Sequence, residues 1–154
     1  MNPYEKLMQI ARGKSPWVYC VNTGACNGCD IEVAAGLTPR FDAEQLGVVR
    51  QGSPKHADIL IISGPVTLRT RDALLDIYNQ MPNPKAVVAV GSCPASGNIF
   101  AGSPTVYGAV DQFIPVDVYV AGCPPRPQAI LQGIAEAAEL LASGKQKNRK
   151  EVKE

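Results

Sequence analysis

Two hydrophobic periods alternate along this chain. Nearly continuous apolar runs occupy residues 17–22, 57–63, 85–90 and 116–120. They are rich in Val and Ile, as in strands covered on both faces of a parallel sheet. A shorter run at 47–51 reads as an edge strand, and Pro16 opens the first run where a missing N–H does little harm. Between the runs the apolar positions change to helical spacing. Tyr4, Leu7, Met8 and Ala11 form one stripe; Ile31, Ala34, Ala35 and Leu37 form a second. Leu74, Leu75, Ile77 and Tyr78 form a third, and Ile130, Leu131, Ile134, Ala137, Ala138 and Leu141 a fourth. Residues 41–46 add a further helical turn or two. Pro39 ends the second stripe, Thr70 is placed to N-cap the third, and Gly144 stops the fourth.

Strands alternating with helices predict an α/β fold with right-handed crossovers, a flavodoxin-like doubly wound parallel sheet of four or five strands. The expected organisation is an N-terminal amphipathic helix over residues 1–14, one domain over 15–142 and a polar, charged tail over 143–154. The first helix is expected either to cover the core or to dock on a partner subunit. Residues 94–115 break the alternation, with no clear helical pattern and with Gly97, Gly102, Pro104 and Gly108 along the way. A loop of that length in a compact domain is usually functional. Ile99, Phe100 and Tyr107 would expose apolar surface if free, which predicts that 95–114 lies against another subunit.

Composition narrows the class. A chain of 154 residues with 45% hydrophobic and 19% charged residues is globular and not disordered. The net charge of +1 supplies no broad field for nucleic acid, and Glu151 and Glu154 dilute the basic residues of the tail. No apolar export segment or twin arginine opens the chain, and no apolar run is long enough to cross a bilayer. Five cysteines in such a chain point to a reducing compartment, where clustered cysteines bind metal more often than they pair.

Four of the five cysteines share a position in the pattern. Cys26-Asn27-Gly28-Cys29 follows the first strand, Gly91-Ser92-Cys93-Pro94 the strand at 85–90, and Gly122-Cys123-Pro124-Pro125 the strand at 116–120. In an open α/β sheet, sites gather at the carboxyl ends of strands. Gly24 and Gly28 let the backbone turn sharply and approach whatever the thiols hold. The prolines stiffen the other two ligand loops and bias the cysteine before them to extended backbone. Three chemistries compete on the residues alone. Structural zinc usually uses two close pairs, and a redox pair would use only Cys26 and Cys29. An iron–sulfur cluster accepts four thiolates from scattered loops. Cys20, inside the first strand, reads as a buried small hydrophobe.

Cys26-Asn27-Gly28-Cys29-Asp30-Ile31-Glu32, Pro54-Lys55-His56-Ala57-Asp58, Gly91-Ser92-Cys93 and the stretch from Pro115 to Pro125 together resemble the small subunit of membrane-bound, energy-converting (group 4) [NiFe] hydrogenases. That family is related to the cluster-bearing B (20 kDa) subunit of complex I. The resemblance runs from about residue 15 to residue 142. It implies one proximal [4Fe-4S] cluster at the C-terminal edge of the sheet, held by Cys26, Cys29, Cys93 and Cys123. It implies as partners a large subunit carrying the nickel–iron centre, a ferredoxin-like iron–sulfur subunit and membrane subunits, with this chain peripheral on the cytoplasmic side. It implies an electron-transfer role in a ferredoxin-linked oxidoreductase, with no bond chemistry by this chain alone. The complex I relatives carry two adjacent cysteines in the first motif, whereas this chain has CxxC, which favours dihydrogen chemistry. Complex I-like quinone reduction, or reduction of a sulfur compound, is the alternative. A second cluster would need further soft ligands, and only Cys20 and His56 remain, so one cluster is expected.

Other residues near these motifs carry weaker signals. Glu32 is a possible proton relay, as is Asp30, though both also suit the first turn of a helix. His56 could titrate with the site or simply sit at the surface before a strand. Arg69 and Arg71 follow a strand end and could face a partner or only solvent. The segment from Gly91 to Gly97 lacks the lysine and the following helix of a phosphate-binding loop.

Overall fold

The computed structural model describes residues 3–144. The predicted tail lies almost wholly outside the described residues. Five parallel strands form the central sheet: β1 (Trp17–Asn22), β2 (Val49–Arg50), β3 (Ile59–Ser63), β5 (Ala86–Val90) and β7 (Val118–Val120). They lie in the order β2-β1-β3-β5-β7, which is the 2-1-3-4-5 order of flavodoxin-like sheets. Strand β2 is the predicted edge strand. Two short strands, β4 (Val66–Thr67) and β6 (Val106–Gly108), pair antiparallel as a separate ribbon. The helices are α1 (Pro3–Lys14), α2 (Gly28–Gly36), α3 (Arg71–Gln80), α4 (Ser92–Ser96) and α5 (Pro127–Ser143).

The alternation of β3 and β5 side chains splits the core into two layers. Ile59, Ile61, Val88 and Val90 pack on one face with Val33 of α2 and with Ile130, Ile134, Ala137 and Leu141 of α5. Leu60, Ile62, Val87 and Ala89 pack on the other with Leu74 and Tyr78 of α3 and with Val110, Ile114 and Val116. Both central strands are buried along their whole length, so no polar alternation marks them in the sequence. The α5 stripe is buried as its spacing predicts, and Gly144 caps the helix in the left-handed conformation (φ 66°).

Three local expectations are corrected. Helix α2 starts at Gly28, earlier than its apolar stripe suggests, and buries Cys29, Val33 and Gly36. The face is thereby rotated, leaving Ala34 outward and Ile31 60% exposed. The second turn is a 3-10 segment, Ala43–Leu46, that begins only after Asp42 in the left-handed region. Thr70 sits at the N-cap of α3 but does not cap it. Its hydroxyl accepts the Thr67 N–H (3.1 Å) and donates to the carbonyl of Thr23 (2.7 Å), so it ties the end of β4 to the loop after β1.

The long segment after β5 is also more structured than its sequence suggests. It contains α4, a 3-10 turn at Asn98–Phe100, β6 and a second 3-10 turn at Val110–Gln112. Each element is too short to show a period, which is why none was legible. Helix α4 corrects two expectations at once: a one-turn helix does follow Gly91, and Cys93 is helical although Pro94 follows it. Pro94 falls in the first turn, where the missing N–H has no helical partner to lose.

Helix α1 does not bury the stripe expected of it. Leu7 is 63% exposed, and Met8, Ile10 and Ala11 also face outward; the side chain of Tyr4 lies outside the described residues. The helix packs on α5 through Gly13 instead, where a Cβ would lie 2.8 Å from that of Ala142. Arg12 pairs with Asp58 at 3.2 Å and anchors α1 to the start of β3. At the far end of α3, Lys85 is buried and donates to the carbonyls of Tyr78 and Met81 (3.2 Å to the latter), satisfying acceptors that the helix terminus leaves open.

Gly133 tests the packing of α5 on the sheet. A Cβ there would lie 2.4 Å from Cγ2 of Val120, a β-branched side chain with little rotameric freedom. In an exposed helix, Gly→Ala stabilises by up to about 1 kcal/mol. Here Gly133→Ala is expected to destabilise by about 1–3 kcal/mol, measured by urea denaturation of the purified chain.

Candidate metal centre

All four predicted thiols come together at the carboxyl edge of the sheet. Cys26 and Cys29 follow β1, Cys93 sits in α4 directly after β5, and Cys123 follows β7. Cys29 and Cys93 are buried, and Cys26 and Cys123 open to the surface. Because β1, β5 and β7 are parallel, their C-terminal ends lie on one side, and β3 between β1 and β5 brings the loops across. Cys20 remains apart, inside β1 and packed against the core.

Polar side chains shape the first loop. Asn22 Oδ1 accepts the N–H groups of Gly24 and Ala25, both at 2.8 Å, and turns the chain out of β1. The buried Thr23 hydroxyl donates to the carbonyl of Gly64 (2.9 Å). Asp30, at the start of α2, accepts from Asn22 Nδ2 (2.6 Å) and from the Ser63 hydroxyl (2.5 Å). Its carboxylate therefore locks the ends of β1 and β3 to α2. Gly64 (φ 86°) admits this close approach, since a Cβ there would fall 2.2 Å from the Ala25 nitrogen. The second and third loops are joined by Ser92, whose N–H and hydroxyl both donate to the Gly122 carbonyl (2.9 and 3.1 Å).

Glycine clears room for the sulfurs. A Cβ on Gly91, whose φ is 98°, would lie 2.7 Å from Cys29 Sγ. Across the mouth, the Asn98 side-chain amide reaches two sulfurs, 3.7 Å from Cys123 Sγ and 3.9 Å from Cys93 Sγ. The thiols also feel each other. Burial pushes Cys29 up to about 11, and the nearby Cys93, Cys26 and Cys123 sulfurs and Asp30 push in the same direction. Cys93 is also raised, first by burial, with the Asn98 amide pulling back and Cys123 and Cys26 adding to the rise. Among the described residues no three His, Cys, Asp or Glu side chains form a ligand set for one metal ion.

The other residues singled out in the sequence separate. Glu32 is part-exposed on α2, one turn beyond Cys29. Arg69 is exposed after β4, and Arg71 pairs with Asp72 (3.3 Å) and stacks its guanidinium 5.9 Å from the Phe113 ring. His56 takes the second of its two readings, a surface histidine before a strand. It precedes β3 and therefore lies at the opposite, N-terminal edge, by a surface cleft with Arg12, Trp17 and Asp58. Missed in the sequence were Asn22, Thr23, Ser63 and Asn98. Only Asn22, an Asn two residues before a glycine at a strand end, carries a turn signal that could have been read.

Residues 26–137 match the family described as NADH ubiquinone oxidoreductase, 20 Kd subunit. The chain is 55% identical to the probable membrane-bound hydrogenase subunit mbhJ of Pyrococcus furiosus over 90% of its own length and 84% of that protein's. It is 47% identical to formate hydrogenlyase subunit 7 of Escherichia coli over 83% of its length, spanning 50% of that protein. Among solved structures it resembles a chain of the membrane-bound sulfane sulfur reductase, an archaeal respiratory membrane complex. That similarity has a TM-score of 0.79 and 39% identity, covering 91% of this chain and 77% of that one.

The raised thiols give a direct test on the metal-free chain. The thiolate is the reactive form, so a thiol at about 11 is only about one part in a thousand reactive at pH 8. In iodoacetamide labelling followed by peptide mass spectrometry, Cys29 is expected to react far more slowly than Cys26. Its rate should still be rising between pH 10 and 11. Equal rates for the two at pH 8 would contradict the burial of Cys29.

Proposed function

The chain belongs to the NADH ubiquinone oxidoreductase 20 Kd subunit family, whose members here are subunits of oxidoreductase complexes; from that premise we propose that it is the electron-transfer subunit of a membrane-bound [NiFe] hydrogenase complex. It would carry one proximal [4Fe-4S] cluster on Cys26, Cys29, Cys93 and Cys123, between a ferredoxin-like iron–sulfur subunit and a nickel–iron large subunit. The observation that carries this reading is the meeting of four thiols, from three separate strand ends, at one edge of the sheet.

The residues suit such a group. The donor set is entirely soft sulfur, the class of ligand that holds iron–sulfur clusters. The missing side chain of Gly91 leaves room for the Cys29 sulfur itself. When bound, the cluster supplies reversible one-electron transfer at a potential that the protein sets. The chain's own part is mechanical and electrostatic. Asn22, Thr23, Ser63 and Asp30 hold the first ligand loop in shape, and Ser92 ties the second to the third. Burial of Cys29 and Cys93 keeps water from one side, while Cys26 and Cys123 face outward. Glu32, one turn beyond Cys29 on α2, is kept in this reading as a possible proton relay.

Several large apolar side chains are exposed. Ile99 is 84% exposed, and Ile31, Leu68, Phe100 and Tyr107 are also uncovered. Ile99 and Phe100 directly follow Asn98, which touches two of the sulfurs. We assign this rim to the contact with the large subunit. Among the described residues no helix is long and apolar enough to cross a membrane. Attachment through membrane subunits, on the cytoplasmic side, is part of the proposal. The sulfane sulfur reductase chain supports a second reading, in which the same scaffold serves a complex that reduces a sulfur compound or quinone.

Anaerobic reconstitution of the full chain should yield about four iron and four acid-labile sulfide per chain. Cys93→Ser and Cys123→Ser should lose or convert the cluster, and Cys20→Ser should retain it, read by iron content and by EPR of the reduced state. A full cubane signal in Cys123→Ala would remove the assignment. Purification from native membranes decides between the two readings: a co-purifying large subunit with bound nickel supports the hydrogenase, and one without nickel supports the alternative. In hydrogen exchange, residues 95–114 should be slowed in the purified complex relative to the free chain. Equal exchange in both would place the interface elsewhere.

A further inference from the structure

Asn98 occupies an unusual position for a residue with a side chain. Its backbone is left-handed (φ 47°), a region in which asparagine is among the few residues tolerated. It opens the 3-10 turn Asn98–Phe100, right after Gly97, itself left-handed at φ 82°. That turn sends Ile99 outward and brings the Asn98 amide over the mouth of the thiol group. There Nδ2 lies 3.7 Å from Cys123 Sγ and 3.9 Å from Cys93 Sγ, both within hydrogen-bonding range of sulfur. The two sulfurs come from different loops, one buried and one exposed, so a single side chain spans the site.

We infer that Asn98 is a positioning residue that sets redox potential: its amide donates N–H···S hydrogen bonds to Cys93 and Cys123 and so favours the reduced state of the cluster these sulfurs carry. This rests on the cluster reading given above. Reduction adds negative charge that spreads onto the thiolate sulfurs. A donor aimed at those sulfurs stabilises that charge more than it stabilises the oxidised state, and hydrogen bonds to sulfur are among the terms that set such potentials. Ser92 also has donors in this region, but they are directed to the Gly122 carbonyl.

Two substitutions separate this role from a purely structural one. Asn98→Gly removes the amide while keeping a residue at ease with positive φ. Asn98→Asp keeps the shape and the backbone preference, removes the donors and adds negative charge. The full chain and both variants are reconstituted anaerobically, assayed for iron and sulfide, and titrated redox-potentiometrically with EPR detection. Both variants are expected to keep the wild-type iron and sulfide content. Both should have a lower potential, with Asn98→Asp lower than Asn98→Gly. The expected size for Asn98→Gly is on the order of tenfold in the oxidised-to-reduced ratio, ~59 mV for a one-electron couple. An unchanged or raised potential with full cluster content overturns the inference. Loss of iron from Asn98→Gly also overturns it, since Asn98 would then hold the loop and not tune the charge. If the wild-type chain itself binds no cluster, the functional reading fails first, and this inference with it.

Discussion

The site depends on one steric fact: Cys29 Sγ occupies the space where any side chain on Gly91 would be, 2.7 Å from the position of its Cβ. The loop after β1 and the loop after β5 can approach each other only because residue 91 has no side chain. Its φ of 98° then turns the chain into α4 and delivers Cys93 beside Cys29. From there Ser92 reaches Gly122, which brings the loop after β7 and its Cys123 to the same place. Three strands of a parallel sheet thus converge through one missing methyl group and one serine.

The rest of the fold supplies the stiffness that this contact needs. Two apolar layers, one under α5 and α2 and one under α3, clamp β3 and β5 so that their ends cannot drift. At the edge itself the clamps are polar. Asp30, Asn22 and Ser63 form a short network whose members are all hydrogen-bonded, the condition under which partly buried polar groups add order without a desolvation penalty. The same topology explains what is kept away. Parallel strands send every N-terminal end to the opposite side, so the Arg12–Asp58 pair anchors that side and His56 lies there too, away from the thiol group.

Exposure is divided in the same way. The buried half of the site is Cys29 and Cys93 and the open half Cys26 and Cys123, with exposed Ile31, Ile99 and Phe100 close by in the sequence. Asn98 stands at the boundary between the two halves, with its amide on the sulfurs and its neighbours in the rim.

Much of this was legible from residues alone. Continuous apolar runs at 57–63 and 85–90 announce strands buried on both faces, and the stripe from Ile130 to Leu141 announces a helix, because burial demands those periods locally. The position of four cysteines just past strand ends follows from the same pattern. Other features depend on contacts between distant parts of the chain. The face of α2 was misread because the helix starts at Gly28, directly after Asn27 in the left-handed region, and not where its own apolar period begins. Thr70 looked like a cap and instead bonds to Thr23, far away in sequence. The ribbon of β4 and β6 joins two segments too short to show any period. The sequence by itself determined the strands of the central sheet and the longer helices, and which residues carry metal-binding chemistry. Only the tertiary structure decided which of them meet and which side chains hold them together, because hydrogen bonds and close approaches between remote loops leave no periodic mark on either loop.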